Sequence, residues 1–353
     1  MTPVVSVVID TYNHERFIEE AIQSVLAQDF PAAEMEILVV DDGSNDRTPE
    51  IASRFEPHVK LLRKPNGGQA SAINYGIAHA KGEFVAFLDG DDVWLPNKLS
   101  RVVAEFEKHP EAVLVYHQFR FFDSRDGHEW EIERSFVSGD ILADRRKLLS
   151  YWAAPTTSLV FRRQTLERIG PVPEQCSFNH DTYLITAAIF LGPVAAIPEC
   201  LARNRVHGQN LYFAGRVEQD TKALERRVRV RCAAIEALKK WMLNNAPRSA
   251  RPQVRLLVRR WQLVQDGDEF VLDPPARFRS FQNKVRQILT YRISMTSSHV
   301  AYCWVQAFFE LAVGPQHSHY LEAFRTRARK LRDRLRASSP ERDPNTENAG
   351  PAQ

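Results

Sequence analysis

The side chains most able to do chemistry in this chain of 353 residues are carboxylates set in short turns. Asp89-Gly90-Asp91-Asp92 follows the apolar run FVAFL (84–88). Carboxylates crowded at one strand end repel one another, and a cation relieves that repulsion. An all-oxygen donor set suits Mg2+ or Mn2+, and such an ion stabilises a departing phosphate group as a Lewis acid. Within the turn Asp92 is a helix-cap candidate ahead of Trp94-Leu95-Pro96, with metal contact as its second option; without an ion, the same four residues read as a solvated acidic turn. A second pair, Asp41-Asp42, ends the run EILVV (36–40) and leads into Gly43-Ser44. As a turn, it caps a helix opened by Thr48-Pro49-Glu50; as a site, it gives Asp42 to a ligand N–H and leaves Asp41 to structure. Asn66-Gly67-Gly68-Gln69 precedes a helical segment. Glycines there let backbone N–H groups approach a phosphate, helped by the helix dipole.

These groups need a scaffold that delivers strand ends to one place. Val4–Ile9, Glu36–Val40, Val59–Leu62, Phe84–Leu88 and Val113–Phe122 are short runs rich in β-branched and aromatic residues, and read as strands. Between them, His14–Leu26, a segment from Thr48, Ser71–Ala80 and Leu99–Glu107 space apolar residues as helices do. This order predicts a parallel, doubly wound sheet, in which ligands sit beyond the carboxyl ends of the strands. Residues 123–150 read as a loop-rich excursion, and the loops of 123–160 are expected to shape a second substrate's pocket. Beyond it, Ser158–Phe161, Val194–Ile197 and Ala202–Val206 read as strands, and Arg163–Ile169 and Asp181–Leu191 as helices. From about residue 216 only helices are predicted: Val217–Asn244, Pro252–Gln265, Arg277–Thr290, Val300–Val313 and His317–Arg336. The fold class is therefore α/β, with a mostly parallel central sheet over 1–215 and an all-helical region over 216–337. The Pro-, Asn- and Glu-rich tail 338–353 is predicted to be disordered.

Composition excludes several classes. With 44% hydrophobic and 26% charged residues the chain has ample material for a core, so disorder is not its main state. Four distant cysteines without a CxxC pair argue against a disulfide scaffold or zinc ribbon. No stretch reaches the roughly 18–20 apolar residues that span a bilayer, and MTPVVSVVID lacks the basic start of a signal peptide. A cytoplasmic location is expected. Residues 1–215 carry 21 Lys and Arg against 30 Asp and Glu, whereas residues 216–353 carry 26 against 14. Arg251, Arg255 and Arg259 share one helix face, and RTRARKLRDRLR (325–336) is more basic still. Two readings stay open for this charge: peripheral contact with an anionic membrane, or a face that is solvated or packed on the acidic front half. No reader motif accompanies it, which argues against nucleic acid.

Four segments, VSVVIDTYN (5–13), VVDDGSNDRT (39–48), PNGGQASAINYGI (65–77) and FLDGDDVWLPNKL (87–99), fall in one order. Through them, over roughly residues 4–210, the chain resembles the nucleotide-sugar half of family 2 glycosyltransferases. The resemblance implies the GT-A fold and transfer of a sugar, with inversion, from a nucleoside diphosphate sugar, UDP-type favoured. The acceptor implied is a hydroxyl of a glycan or lipid-linked glycan, in surface glycan or polysaccharide assembly of the bacterial type. Mn2+ or Mg2+ is the implied cofactor.

The same resemblance distributes roles. Asp42 accepts from the base, and Thr11 and Tyr12 line its pocket; a base stacked on Tyr12 gains about 1–3 kcal/mol. Asn66, Gly67, Gly68 and Asn74 lie along the diphosphate. Asp91 contacts the metal, and Asp89 touches the ribose or a metal-bound water. Arg203, Arg205, His207, Gln209 and Asn210 resemble an element that closes over the diphosphate, where Arg205 offsets its charge and His207 binds metal or phosphate. Asn179-His180-Asp181 matches the acidic pair that supplies the general base, which makes Asp181 the base. Its helix N-terminus is expected to keep it ionised, and the alternative is that Asp181 or Asn179 only caps that helix. The chain departs from the family at Asp10, usually Pro; at Ile73, where many members carry Arg; and at His180, the first acidic position. These departures leave a non-catalytic nucleotide-sugar-binding scaffold as one alternative. The other, a sugar-phosphate nucleotidyltransferase, calls for a Gly-rich, Arg- and Lys-bearing loop after the first strand, and Asp10–Arg16 contains no glycine.

Overall fold

The computed structural model describes residues 2–132, 136–151, 154–208, 210 and 221–258. Its first half is built on four parallel strands, β1 (Val5–Thr11), β2 (Met35–Asp41), β3 (Lys60–Arg63) and β4 (Phe84–Asp89), ordered β3-β2-β1-β4. Helices cover both faces, so β1 is buried along its whole length and reads as an almost unbroken apolar run. Val7, Ile9, Ile37, Val39, Ala86 and Leu88 pack with residues of α1 (Ile18–Leu26) and α2 (Thr48–Ser53) in one cluster. Val8, Leu38, Val40, Val85 and Phe87 pack in a second, with α3 (Gln69–His79). α3 approaches β1 closely at Gly76, where an added Cβ would come within 2.3 Å of the Val8 side chain. The register sets Thr11 opposite Asp41 and Asp10 opposite Asp89. The turns leaving β1, β2 and β4 therefore begin level with one another, at one edge of the sheet.

β5 (Val93–Trp94) and α4 (Lys98–Lys108) lead into a mixed half of the sheet, ordered β8-β6-β9-β5. β6 (Leu114–Asp123) runs parallel to β9 (Val194–Val206), and β7 (Glu129–Trp130), β8 (Leu159–Arg162) and β5 join antiparallel. The two strands expected at Val194–Ile197 and Ala202–Val206 are one. Pro198 lacks an N–H and the register slips across Gln118, so the strand bulges there and continues. The excursion at 123–150 contains α5 (Arg145–Ser150), where Asp144 accepts the Arg146 N–H as a cap. α6 (Arg163–Ile169) and α7 (His180–Ala188) follow.

α8 (Thr221–Asn245) buries Ala234, Ile235, Leu238, Trp241 and Met242 in the same cluster as α3 and α7. Trp241 Nε1 donates to the Ile169 carbonyl at 2.9 Å. Residues 251–258 are helical and add Val254 and Leu257 to that cluster, with Arg251 and Arg255 exposed. The core thus runs past residue 215 as far as 258. Arg259, the helices expected at 277–290, 300–313 and 317–336, and the tail 338–353 lie outside the described residues. No helix among the described residues is long and apolar enough to cross a membrane.

Candidate active site

The acidic turn stands where β4 ends. Asp89, Asp91 and Asp92 each place a carboxylate oxygen within 4.8 Å of the others, and the Asp92 N–H closes the turn on the Asp89 carbonyl at 2.9 Å. Asp92 is not the helix cap expected of it. Its Oδ2 accepts from the Thr157 hydroxyl at 2.6 Å and the Asn204 amide at 2.7 Å, and its Oδ1 accepts the Arg205 N–H at 2.8 Å. Asp92 is the most heavily hydrogen-bonded of the three, and Asp89 and Asp91 keep more acceptor capacity for a cation. Asp10, opposite Asp89, is buried with Oδ1 lacking a hydrogen-bond partner among the described residues. This all-oxygen set fits a hard divalent ion.

Electrostatics separate the carboxylates. Burial, reinforced by the charges of Asp10, Asp92, Asp91 and Asp181, pushes Asp89 well above the ordinary carboxylate range. Burial carries Asp10 up to about 7. Asp91 shifts downward: burial would raise it, but the hydrogen bond from His207 and the neighbouring His14 outweigh that. The bond is 2.8 Å from His207 Nε2 to Asp91 Oδ2, with the imidazole packed on Phe17 at 4.6 Å between centroids. The Asn210 amide also donates to Asp91 Oδ2, at 3.3 Å. His207 therefore partners the carboxylate expected to bind metal.

Several assigned contacts prove internal. Arg205 was expected to face the diphosphate; its buried guanidinium donates instead to the Asp91 carbonyl at 2.7 Å and to Glu20 at 2.5 Å, between the rings of Phe17 and Phe122. Asn74 pairs through both amide atoms with the backbone of Val172, tying α3 to the segment before α7. The Gly67 and Gly68 N–H groups, expected on a phosphate, donate to Asp42, which also accepts from Lys64 Nζ at 2.5 Å. The loop between β3 and α3 is thus clasped onto the end of β2. Asn66 is exposed, Thr11 is buried with its hydroxyl 3.3 Å from His14 Nδ1, and Tyr12 is 42% exposed at the rim. Asp41 is structural as expected, held by Arg63 and the Ser44 N–H. Gln209 lies outside the described residues.

Asp181 stands in the first turn of α7, its Oδ1 accepting the Thr182 N–H at 2.5 Å. Its charge adds to the upward push on Asp89. The helix terminus was expected to hold Asp181 down; burial wins and raises it above the ordinary carboxylate value. Asn179 makes no side-chain cap on α7. His180, at the family's acidic position, is buried between the Thr156 hydroxyl at 2.6 Å and the Ser177 carbonyl at 3.1 Å. The carbonyl assigns its proton to Nδ1, so it serves structure. Motif reading missed Gln69, which donates to Asp89 Oδ1 at 3.0 Å, and Lys64, Thr157 and Lys98. Only Lys98 and Gln69 fell inside a recognisable segment, and neither type announces a role there.

Residues 6–170 match the model of glycosyl transferase family 2. An uncharacterized glycosyltransferase of Nostoc is 35% identical over 221 residues, which is 60% of this chain and 67% of the relative. One of Rickettsia typhi is 32% identical over 213 residues, 58% of this chain and 65% of the relative. The chain thus spans about two thirds of the length of these curated relatives. Among solved structures, S. aureus TarS 1-349 in complex with UDP-GlcNAc superposes with a TM-score of 0.53 at 18% identity, covering 88% of this chain and 92% of TarS. A mannosyltransferase of Pyrobaculum calidifontis in complex with GDP-Man and Mn2+ gives 0.53 at 22%, covering 92% and 86%. At such identities the likeness shows the fold.

Proposed function

The chain belongs to glycosyltransferase family 2, and on that premise we propose that it transfers a sugar from a nucleoside diphosphate sugar, UDP-type favoured, to a hydroxyl of a glycan or lipid-linked glycan, with inversion. The observation that carries this reading is the carboxylate cluster of Asp89, Asp91 and Asp92 at the end of β4, in a chain whose residues 6–170 match the family model. Asp181, in the first turn of α7, would supply the base. Asp89 and Asp91 would hold Mn2+ or Mg2+, with Asp91 kept anionic by His207. When bound, such an ion supplies Lewis-acid stabilisation of the departing diphosphate. Asp181 takes the acceptor proton as the acceptor oxygen bonds to the anomeric carbon. The bond from that carbon to the β-phosphate oxygen breaks, and its electron pair leaves with the nucleoside diphosphate. Burial raises the proton affinity of Asp181, which suits it to this task.

Asp42 would read the base: its two oxygens offer about four acceptor positions, and its donors are the Lys64 amine and two amides. Tyr12 at the rim would stack on it. The neighbours bound to UDP-GlcNAc and to GDP-Man with Mn2+ support a nucleotide-sugar donor and a divalent ion. Bacterial-type surface glycan assembly at a cytoplasmic membrane face, with the basic C-terminal region on anionic lipid, completes the proposal. The charge asymmetry of the chain supports it.

The test is sugar release or transfer from UDP-GlcNAc and GDP-Man, with and without Mn2+, by the parent and Asp181→Asn. The substitution keeps size and removes basicity. Donor affinity should stay within a few-fold of the parent while turnover falls about 10²–10⁴-fold. Turnover close to the parent's would strip Asp181 of the base role.

A further inference from the structure

The FLDGDDVWLPNKL segment holds a lysine that the chemistry above does not use. Lys98 opens α4, yet it is 0% exposed and among the largest fully buried side chains. Removing an amine from water is costly unless it finds partners. Lys98 Nζ donates to the Thr157 carbonyl at 2.6 Å and lies 3.7 Å from the centroid of the Trp94 ring. Thr157, itself buried, spans the acidic turn: its hydroxyl donates to Asp92 Oδ2 at 2.6 Å and accepts the Asp89 N–H at 3.2 Å. One threonine therefore grips the first and last residues of the turn, with Asp91 between them. Thr157 sits in the middle of a buried 3-10 turn, residues 156–158. The Lys98 bond fixes the carbonyl of that residue from beneath.

We infer that Lys98 is a positioning residue which, acting through Thr157, sets the spacing of Asp89 and Asp91 and so pre-organises the divalent-cation site. It touches neither ion nor substrate. The inference rests on the cation reading of Asp89 and Asp91 proposed above. Its rival is that Lys98 only fills the core beneath Trp94.

The experiment follows Mn2+ affinity in the full-length chain by the EPR signal of the free ion, with UDP present, and melting temperature alongside. Lys98→Met keeps length and removes the donor; Thr157→Val keeps shape and removes the hydroxyl; Thr157→Ser retains it. Loss of an outer-shell partner typically weakens metal binding about 10–100-fold. Lys98→Met and Thr157→Val should each show that loss, and the double variant should be no weaker than the weaker single, because both cut one relay. Thr157→Ser should bind as the parent does. A Lys98→Met protein that melts lower but binds Mn2+ like the parent overturns the inference, as do losses that multiply in the double variant. If Lys98→Met does not fold, parent-like Mn2+ affinity in Thr157→Val overturns it alone. A parent that binds no Mn2+ overturns the cation reading and this inference with it.

Discussion

Asp10 stands where members of the family usually carry proline, and it changes the ionisation of the turn beside it. Burial raises its pKa from 3.8 to about 7. The folded state therefore holds a proton that the unfolded chain releases near its ordinary value. Between about pH 4 and 7 the native form binds more protons, so this contribution to stability is present below pH 4 and is lost as pH rises through 7. Asp89 and Asp92, also raised by burial, act in the same direction, while Asp91 is lowered. Metal-free protein should accordingly melt lower at pH 8 than at pH 5. Asp10→Asn cannot ionise and should flatten that fall, melting roughly 5 °C or more above the parent at pH 8. Parallel melting curves for the two across pH 5–8, in chelator, would refute this account. The carboxylates themselves were legible in the sequence, because the acidic clusters at 41–42 and 89–92 follow apolar strand runs at the carboxyl ends where ligands of such sheets sit. Their partners were not. Asn74 meets Val172 across 98 residues and Arg205 meets Glu20 across 185, and such pairings exist only once the sheet has formed.

Asp92 shows what one buried carboxylate does for the elements around it. Through Thr157, Asn204 and the Arg205 N–H it ties the acidic turn to the segment before β8 and to the end of β9. Asp92→Ala would leave three donors unpaired, and leaving even part of that set buried costs roughly 3 kcal/mol. Its denaturant midpoint should drop accordingly with the slope unchanged, whereas Asp92→Asn, which keeps one acceptor oxygen, should lose less. An alanine variant as stable as the parent would show that β9 is held by its ladder alone. The ladder was only partly readable. β1, β2, β4 and β6 announce themselves as long apolar runs, since both faces are covered. β5 and β7 have two residues each, too few for any period. β9 carries Pro198 and reads as two strands, although the bulge lets it run on through 13 residues. α5 was missed because it has six residues inside a stretch of mixed charge.

At the scale of the whole molecule, the acidic residues 1–215 hold the candidate site and the excess of positive charge follows in sequence, over 216–353. The core extends through α8 to residue 258, so part of the region read as a separate helical module packs with the catalytic half, and Arg251 and Arg255 remain exposed there. The run 325–336 adds seven more basic side chains against a single aspartate, Asp333. Near an anionic bilayer each basic side chain contributes about 1 kcal/mol, decaying over roughly one Debye length of 8–10 Å. The full-length chain should therefore sediment with vesicles rich in anionic lipid at low salt and release as salt rises. Truncation before Arg325 should weaken that binding yet leave sugar release from a soluble donor intact, because every residue assigned to the site precedes position 216. If the basic run instead packs on the acidic front half, truncation lowers the melting temperature and vesicle binding is weak from the start. Equal vesicle binding by the two proteins at low salt would end the membrane role of this segment and leave Arg251, Arg255 and their neighbours as the surface to test next.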